Sequence, residues 1–455
     1  MSLYSIAEGE EKIMNEKQER YDHIYKLTVI IGTILIFLST FYLSTTLLMK
    51  HAPDEYMRIQ IPQWIFKHNA LPHGDEKELL NKYWGFSYGF TPYLPSLISV
   101  FFMKLASLFS KSSHVLLVAA RFVSVLSITL LWIICTQIGD RLFKKRTMRI
   151  LFAVLCCSLP QFIFISSYLN NDAFGVMCTG LIVLAWLIGD QDGWTIKRCL
   201  FLAIPIGLLA ITYYNDYAFI LCSILFFFVS IIQQKKPTKM ILQYTLFIVL
   251  IVFLICGWFF IRNAIIHNGD LLGMKSMYAC GEKYAMEIYK PSQRHTLARQ
   301  QLNFYDAFIK TKWFKFTIYS FIGYFGYLTV VMPQNAYITY KIFILILLIL
   351  TIIRSLIERK IPKKLFLCLL ICIIIPLLLS MYYSYFTDFQ AQGRYIMSAL
   401  IPLMIFSTYG LDGFITRFEK KLKIVDPLVS IISIGFPLVF SMYACFIYLI
   451  PKCCS

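Results

Sequence analysis

The feature that most constrains this chain is a succession of apolar runs, most close to twenty residues long, separated by short clusters of Lys and Arg. A run of that length matches a hydrocarbon core of roughly 30 Å. Backbone crossing lipid must satisfy its own hydrogen bonds, so continuous runs of this kind form helices. Hydrophobic residues make up 58% of the 455 and charged residues only 15%, a composition that excludes a soluble globular domain. The formal charge of +18 does not point to nucleic acid, because the basic residues are dispersed between apolar runs rather than gathered on one face. They read as the positive-inside signature of cytoplasmic loops.

Charge also sets the topology. The polar tail 1–26 leads into the first run, Leu27 to Met49, with no small-residue cleavage site, so this run is expected to remain as a signal anchor. The clusters Arg141 to Arg146, Lys235 to Lys239, Arg359 to Lys364 and Arg417 to Lys421 share one side only if two apolar stretches, Pro92 to Phe109 and Phe316 to Met332, do not cross. Ten further spans then remain: Val115 to Ile138, Ile150 to Ser167, Ala173 to Ile188, Cys199 to Tyr213, Tyr217 to Ile232, Met240 to Ile261, Tyr340 to Leu356, Leu365 to Tyr385, Tyr395 to Leu411 and Ile424 to Ile450. The expectation is an all-α polytopic membrane protein of about eleven transmembrane helices. It has a cytoplasmic N-terminal tail, an extracytoplasmic C-terminus, and one transmembrane domain over 27–455 with large outer loops at 50–113 and 262–339. In the first loop Met57, Ile61, Trp64 and Ile65 fall at helical spacing opposite Arg58, Gln60, Gln63 and Lys67, which predicts an interfacial helix kinked at Pro62.

With no soluble domain left over, chemistry must come from span ends and outer loops. The 13 cysteines lie mostly inside apolar runs without zinc spacing, and Cys368 and Cys372 are expected to be packing residues. No Walker loop, dinucleotide fingerprint or metalloprotease motif is present. Four polar groups fall at one membrane level: His51, Asp54 and Glu55; Asn170, Asn171 and Asp172; Asn215 and Asp216; and Gln390, Gln392 and Arg394. Acids converging with an Arg suit transfer from a phosphate-linked donor, which needs a base for the acceptor proton and a cation for the leaving phosphate. Each group also has a plainer reading as a helix cap, and Pro53-Asp54 could simply open the surface helix. Arg121 lies about two turns inside the second span, where an unpaired charge costs on the order of 3 kcal/mol. It needs an outer-loop carboxylate or a bound phosphate. Trp64, Trp84 and Trp313 are expected to be interface anchors.

At these residues the chain resembles the GT-C superfamily of integral-membrane glycosyltransferases that use polyprenyl-phosphate-linked sugars, and within it a bacterial branch with a Pro-Asp-Glu motif after the first span. The matching segments are Pro53-Asp54-Glu55-Tyr56, Phe90 to Pro95, Ala120-Arg121-Phe122, Ser167 to Asp172, Gly323 to Gly326 and Gly393-Arg394-Tyr395. The resemblance implies an outward-facing site with Asp54 as the base and Arg394 holding the donor phosphate. Glu55, Arg121, Asn171, Asp172, Gln392 and Tyr395 are then the expected substrate contacts. Some members use a divalent metal and others do not, so Asp54, Glu55 and Asp172 are its candidate ligands. Better-known members carry a larger soluble or C-terminal region, whereas this sequence ends at Ser455 just past its last span, so the resemblance leaves the acceptor open.

The expected function is inverting transfer of a sugar from a polyprenyl-phosphate carrier to a glycan or lipid acceptor on the extracytoplasmic face of the cell membrane. The partners are those two substrates and membrane lipid, with no nucleic acid. Two other readings stand beside it, a polar-lipid transporter or flippase and a non-catalytic subunit of polysaccharide assembly. The first would call for polar or broken spans at midplane depth.

Overall fold

A computed structural model describes residues 3–358, 362–418 and 425–454 of the chain. The basic positions Arg359 and Lys360 and the segment 419–424, which holds Lys420 and Lys421 and the expected start of the last span, lie outside the described residues.

The apolar runs become helices as their length and composition dictate. In order they are α1 (Leu3–Thr46), α2 (Glu55–His68), α3 (Leu94–Ser107), α4 (Ser113–Leu142), α5 (Arg146–Cys157), α6 (Pro160–Ile165), α7 (Asp172–Asp192), α8 (Ile196–Ala210), α9 (Ala218–Gln233), α10 (Thr238–Ile266), α11 (Met274–Tyr284), α12 (Trp313–Gly323), α13 (Gln334–Ile357), α14 (Lys363–Phe386), α15 (Leu400–Phe418) and α16 (Val425–Ala444). A two-stranded antiparallel hairpin, β1 (Tyr324–Phe325) with β2 (Val330–Val331), is the one sheet among the described residues.

Among the described residues nine helical segments are long and apolar enough to cross a membrane. They divide by burial. The α7 segment is buried along nearly all of its length, whereas those of α1, α10 and α13 turn most of their surface outward. Lipid tails are as apolar as Leu, so the bundle is held by close packing and internal polar contacts rather than by exclusion of water. Indole N–H groups supply several of these contacts: Trp132 donates to the Val29 carbonyl, Trp186 to Ser223 and Trp194 to Ser230, each at 3.0 Å.

Two expected spans are not among these nine segments. Ile150 to Ser167 is divided between α5 and α6, with a break at Ser158 and Leu159, because Pro160 has no N–H to continue the ladder and its ring clashes with the preceding turn. Cys199 to Tyr213 forms only the 15-residue α8, about 22 Å long at 1.5 Å per residue. Both elements bury much of their surface inside the bundle, and a helix packed on helices is under no obligation to match the lipid thickness. The stretches placed at the surface do form shorter elements, α3 over Leu94–Ser107 and α12 with its hairpin. Helix α2 carries Pro62 as an interior residue of one 14-residue helix. Trp313 is fully buried and donates to Ser384 at 2.9 Å, so it is a core residue rather than an interface anchor.

Basic clusters gather at one end of the bundle. There Arg141 pairs with Asp192 at 2.9 Å, Arg149 with Asp140 at 3.0 Å, Arg354 with Asp412 at 3.1 Å, and Lys364 with Asp190. Asp54, Asp172 and Arg394 lie at the opposite end, at the starts of α2, α7 and the turn that leads into α15. We predict that single cysteines at Lys77 and Glu282 react with a membrane-impermeant maleimide on intact cells, and that cysteines at Lys144 and Lys236 react only after permeabilisation. Labelling of Lys144 from outside would reverse the assignment of the two ends.

Candidate active site

The site is assembled around the turn between α1 and α2. Helix α1 ends at Thr46, and the following residues are tied to the end of the chain: Leu47 bridges Cys454, and the Leu48 N–H donates to the Cys453 carbonyl at 3.0 Å. A short turn over Met49–His51 then delivers Asp54 in the left-handed region at φ 62°, ψ −4°. Asp occupies this region more readily than most residues. Asp54 stands at the N-cap position of α2 but makes no capping bond, so its carboxylate is not spent on the helix.

Glu55, the next residue, fixes that turn in place. Its Oε1 accepts from Arg121 Nε and from the Leu169 N–H, both at 2.8 Å, and its Oε2 accepts from Arg121 Nη2 at 2.5 Å. Arg121 Nη1 donates to the carbonyls of Ser44 at 2.8 Å and Leu47 at 2.7 Å. The two side chains are 0% and 1% exposed. Glu55 and Arg121 are candidate substrate contacts by sequence. In the fold neither is open to a ligand, because each spends its charge on the other and on four elements: the end of α1, the start of α2, helix α4, and the loop before α7.

Around Asp54 stands a compact charge cluster. Arg394 donates to the Asp54 carboxylate. Arg58, one turn into α2, lies with its guanidinium 4.4 Å above the ring of Tyr88, among Tyr213, Asp172 and Asp54. Asp172 opens α7 and is 2% exposed, with Arg394, Arg58 and Asp54 as its charged neighbours. Neither of its carboxylate oxygens has a hydrogen-bond partner among the described residues. Burial pushes the Asp54 carboxyl up, but Arg394, Arg58 and the hydroxyl of Tyr88 together outweigh it and hold the group below its ordinary value. Burial likewise works against the charge of Arg58, and Tyr88, Tyr213, Asp172 and Asp54 overcome it. Tyr168, fully buried beside Arg394 and Asp172, is pushed up by burial and stays a neutral hydroxyl without a partner among the described residues.

The surroundings hold these groups rigidly. Arg394 follows Gly393, whose N–H donates to Ser320 at 2.6 Å. A Cβ at 393 would lie 2.2 Å from the Phe321 backbone nitrogen, so only glycine lets this turn settle on α12. Asn171 donates to the carbonyls of Pro92 at 3.0 Å and Thr212 at 2.7 Å, and Asn170 accepts from the Ala173 N–H at 3.0 Å, so both fasten the loop that presents Asp172. Asp216 is 3% exposed and lies near Asp172 and Ser398. The Arg394 guanidinium is 5.3 Å from the Tyr395 ring, which in turn faces Tyr383 at 6.2 Å. Gln392 donates to the side-chain carbonyl of Gln390.

Of the three candidate metal ligands Asp54 and Asp172 share the cluster and Glu55 does not join them. Glu55 is turned to Arg121 and Asp54 to Arg394, and no group of three or more His, Cys, Asp or Glu side chains suited to a metal occurs among the described residues. Two carboxylates already faced by two guanidiniums, Arg394 and Arg58, are a poor donor set for a divalent ion.

Sequence reasoning brought together Asp54, Asp172 and Arg394 but missed Arg58, Tyr88, Tyr168 and Tyr213. Arg58 is assigned to the solvent side of an amphipathic helix by its periodicity, whereas the exposed face of α2 is that of Tyr56, Gln63 and Lys67 and Arg58 is only 6% exposed. Its position four residues after Asp54 was the available signal, since that spacing puts two side chains on one helix face.

A family model described as "Predicted membrane protein (DUF2142)" matches residues 62–404. No curated protein matches the sequence. Solved structures resemble the fold at low identity. The oligosaccharyltransferase of Archaeoglobus fulgidus in complex with Zn and sulfate aligns at TM-score 0.55 and 12% identity over 90% of this chain and 52% of its own. AglB from the same archaeon, in complex with an inhibitory peptide and a dolichol-phosphate, aligns at 0.50 and 12% over 92% and 55%. ArnT from Cupriavidus metallidurans, bound to undecaprenyl phosphate, aligns at 0.52 and 12% over 85% and 60%. These are GT-C proteins, and the chain has their fold while spanning less than two thirds of each.

Breaking a buried ion pair strands a charge, at about 3 to 5 kcal/mol. We predict that Arg121→Ala and Glu55→Gln each lower the melting temperature of the purified protein sharply, and that the double change Glu55→Gln/Arg121→Met costs less than the two singles added together. Additive losses would mean that the pair is not the tie described here.

Proposed function

This chain belongs to the DUF2142 family of predicted membrane proteins, and we propose that it is an inverting glycosyltransferase. It moves a sugar from a polyprenyl-phosphate carrier to a glycan or lipid acceptor on the extracytoplasmic face. The observation that carries this reading is an Asp held free of any capping duty between two buried guanidiniums, at the end of the bundle opposite the basic loops. The GT-C fold supports it, as do the lipid phosphates named in two of the similar structures, dolichol-phosphate with AglB and undecaprenyl phosphate with ArnT.

In the reaction Asp54 accepts the proton of the acceptor hydroxyl. The acceptor oxygen bonds to the anomeric carbon from the face opposite the phosphate, and the carbon–oxygen bond to phosphate breaks with its electron pair on the phosphate oxygen. Arg394 and Arg58 meet the charge that develops there. A phosphate leaves without protonation, so one carboxylate suffices where a glycosidase needs two. Asp172 stands near both guanidiniums without bonding to either, and Tyr168 and Tyr213 supply neutral walls. A transporter would need polar groups deep within the spans, whereas this cluster stands at one end.

Release of free lipid phosphate from a panel of polyprenyl-phosphate sugars, supplied with a membrane extract as acceptor, tests the reading. Asp54→Asn should lower turnover by about 10²- to 10⁴-fold, the usual worth of a general base, while leaving the protein folded. Arg394→Ala should chiefly impair use of the donor, and Arg394→Lys should restore it only in part, since an ammonium lacks the bidentate fork. Wild-type turnover in Asp54→Asn would remove the base assignment.

The pH profile gives a second check. A depressed Asp54 is ionised above its folded pKa, so both the base and its ion pair are present above the ordinary value near 3.9. They are lost only as pH falls through the lower folded value. Between pH 5 and 7 kcat/KM should therefore show no acid limb belonging to Asp54. An acid limb in that window that disappears in Asp54→Glu would contradict the assignment.

A further inference from the structure

Arg394 makes its hydrogen bond to Asp54, while its Nε is buried without a partner among the described residues. It is 6% exposed and has Asp54 and Asp172 as its carboxylate neighbours. On the reading above, one guanidinium is therefore asked to do two things. It holds the base in the resting protein, and it must hold the phosphate in the working one.

Charge counting sharpens the conflict. With both carboxylates ionised, Asp54, Asp172, Arg58 and Arg394 sum to zero, so a donor phosphodiester brings a negative charge for which no further cation of the cluster waits. Arg58 and the spare Nε of Arg394 can meet the phosphate first, but Arg394 can offer it the two-pronged fork only by parting from Asp54. During transfer the acceptor proton neutralises Asp54 while the leaving phosphate gains the electron pair of the broken bond, so net charge in the site is unchanged as negative charge passes from carboxylate to phosphate. Arg394 follows it. When Asp54 returns its proton to water, the carboxylate competes for Arg394 again.

We propose that Asp54 and the lipid phosphate compete for Arg394, so that the donor opens the Asp54–Arg394 pair on entering and re-formation of the pair expels the lipid phosphate after transfer. Asp54 is suited to this because it stands at the head of α2 with no capping bond and its side chain is 30% exposed, free to part from Arg394. Asp172 carries the same charge beside the same two guanidiniums but makes no bond to Arg394. It separates contact from mere proximity.

The test is equilibrium binding of undecaprenyl phosphate, a probe that carries no sugar, to the purified full-length protein in detergent. Asp54→Asn resembles the protonated base and should bind the probe about tenfold more tightly than wild type, the scale set by losing one competing charge-assisted hydrogen bond. Asp172→Asn should stay within about threefold of wild type, because it removes charge without releasing Arg394. In an Arg394→Gln background the gain from Asp54→Asn should vanish, and where that variant does not fold, Arg394→Lys should show a reduced gain. Equal tightening by Asp54→Asn and Asp172→Asn would mean general electrostatics and would overturn the proposal, as would unchanged or weaker binding by Asp54→Asn. Binding that is tight but indifferent to Arg394 in every protein would overturn the phosphate assignment as well, which separates the two failures.

Discussion

The buried pair of Glu55 and Arg121 is the interaction on which the rest of the site depends. An Arg inside a lipid-spanning helix is tolerated only with its charge answered. Here the answer comes from a carboxylate 66 residues earlier in the chain, at 2.5 and 2.8 Å. The same guanidinium takes the last carbonyls of α1, and the same carboxylate takes the N–H of Leu169. Three elements that share no sequence neighbourhood are thus fixed to one another within a few ångströms. Asp54 and the loop leading to Asp172 inherit their relative positions from this tie. It also explains how Asp54 is kept in a left-handed conformation: its neighbour is held too firmly for the turn to relax.

Beside that tie lies a cluster built for exchange. Glu55 and Arg121 are sealed and fully matched, whereas Asp54 and Arg394 are bonded to each other with polar atoms to spare, and Asp172 keeps two bare oxygens. A protein interior seldom leaves ionised groups unmatched without a reason. Two guanidiniums facing two carboxylates at the head of three helices give a neutral resting site, and a neutral site is cheap to hold at the edge of a membrane. It becomes unbalanced only when an anion enters. The cations placed to meet that anion are Arg58 and Arg394, flanked by the hydroxyls of Tyr88 and Tyr168 and the ring of Tyr395.

Much of this was legible in the sequence, though unevenly. The long spans announce themselves because lipid thickness sets their length, and Arg121 announces its need for a partner because its charge is so costly where it sits. The division of Ile150 to Ser167 into α5 and α6 was not legible, since an apolar run reads alike whether it faces lipid or other helices, although Pro160 marked the place. Arg58 was missed for a related reason. Amphipathic spacing puts every polar residue of α2 on its wet face, whereas Gln63 and Lys67 are exposed and Arg58 looks into the charge cluster. Asp54 and Arg394 are 340 residues apart, and it was the topology set by charge that placed them at one membrane level, before the resemblance to GT-C enzymes implied a role for each. Tyr88 and Tyr213 lie in loops rich in aromatic residues, where one tyrosine cannot be told from the next until the chain is folded.

The central claim is that this cluster holds the phosphate of a lipid-linked donor, and a cryo-EM structure of the full chain with undecaprenyl phosphate tests it most directly. The account predicts phosphate density within hydrogen-bond reach of Arg394 and Arg58, Asp54 parted from Arg394, and the Glu55–Arg121 pair undisturbed. A phosphate seated elsewhere, at Arg262 for instance, with Asp54 and Arg394 still bonded to each other, would contradict it.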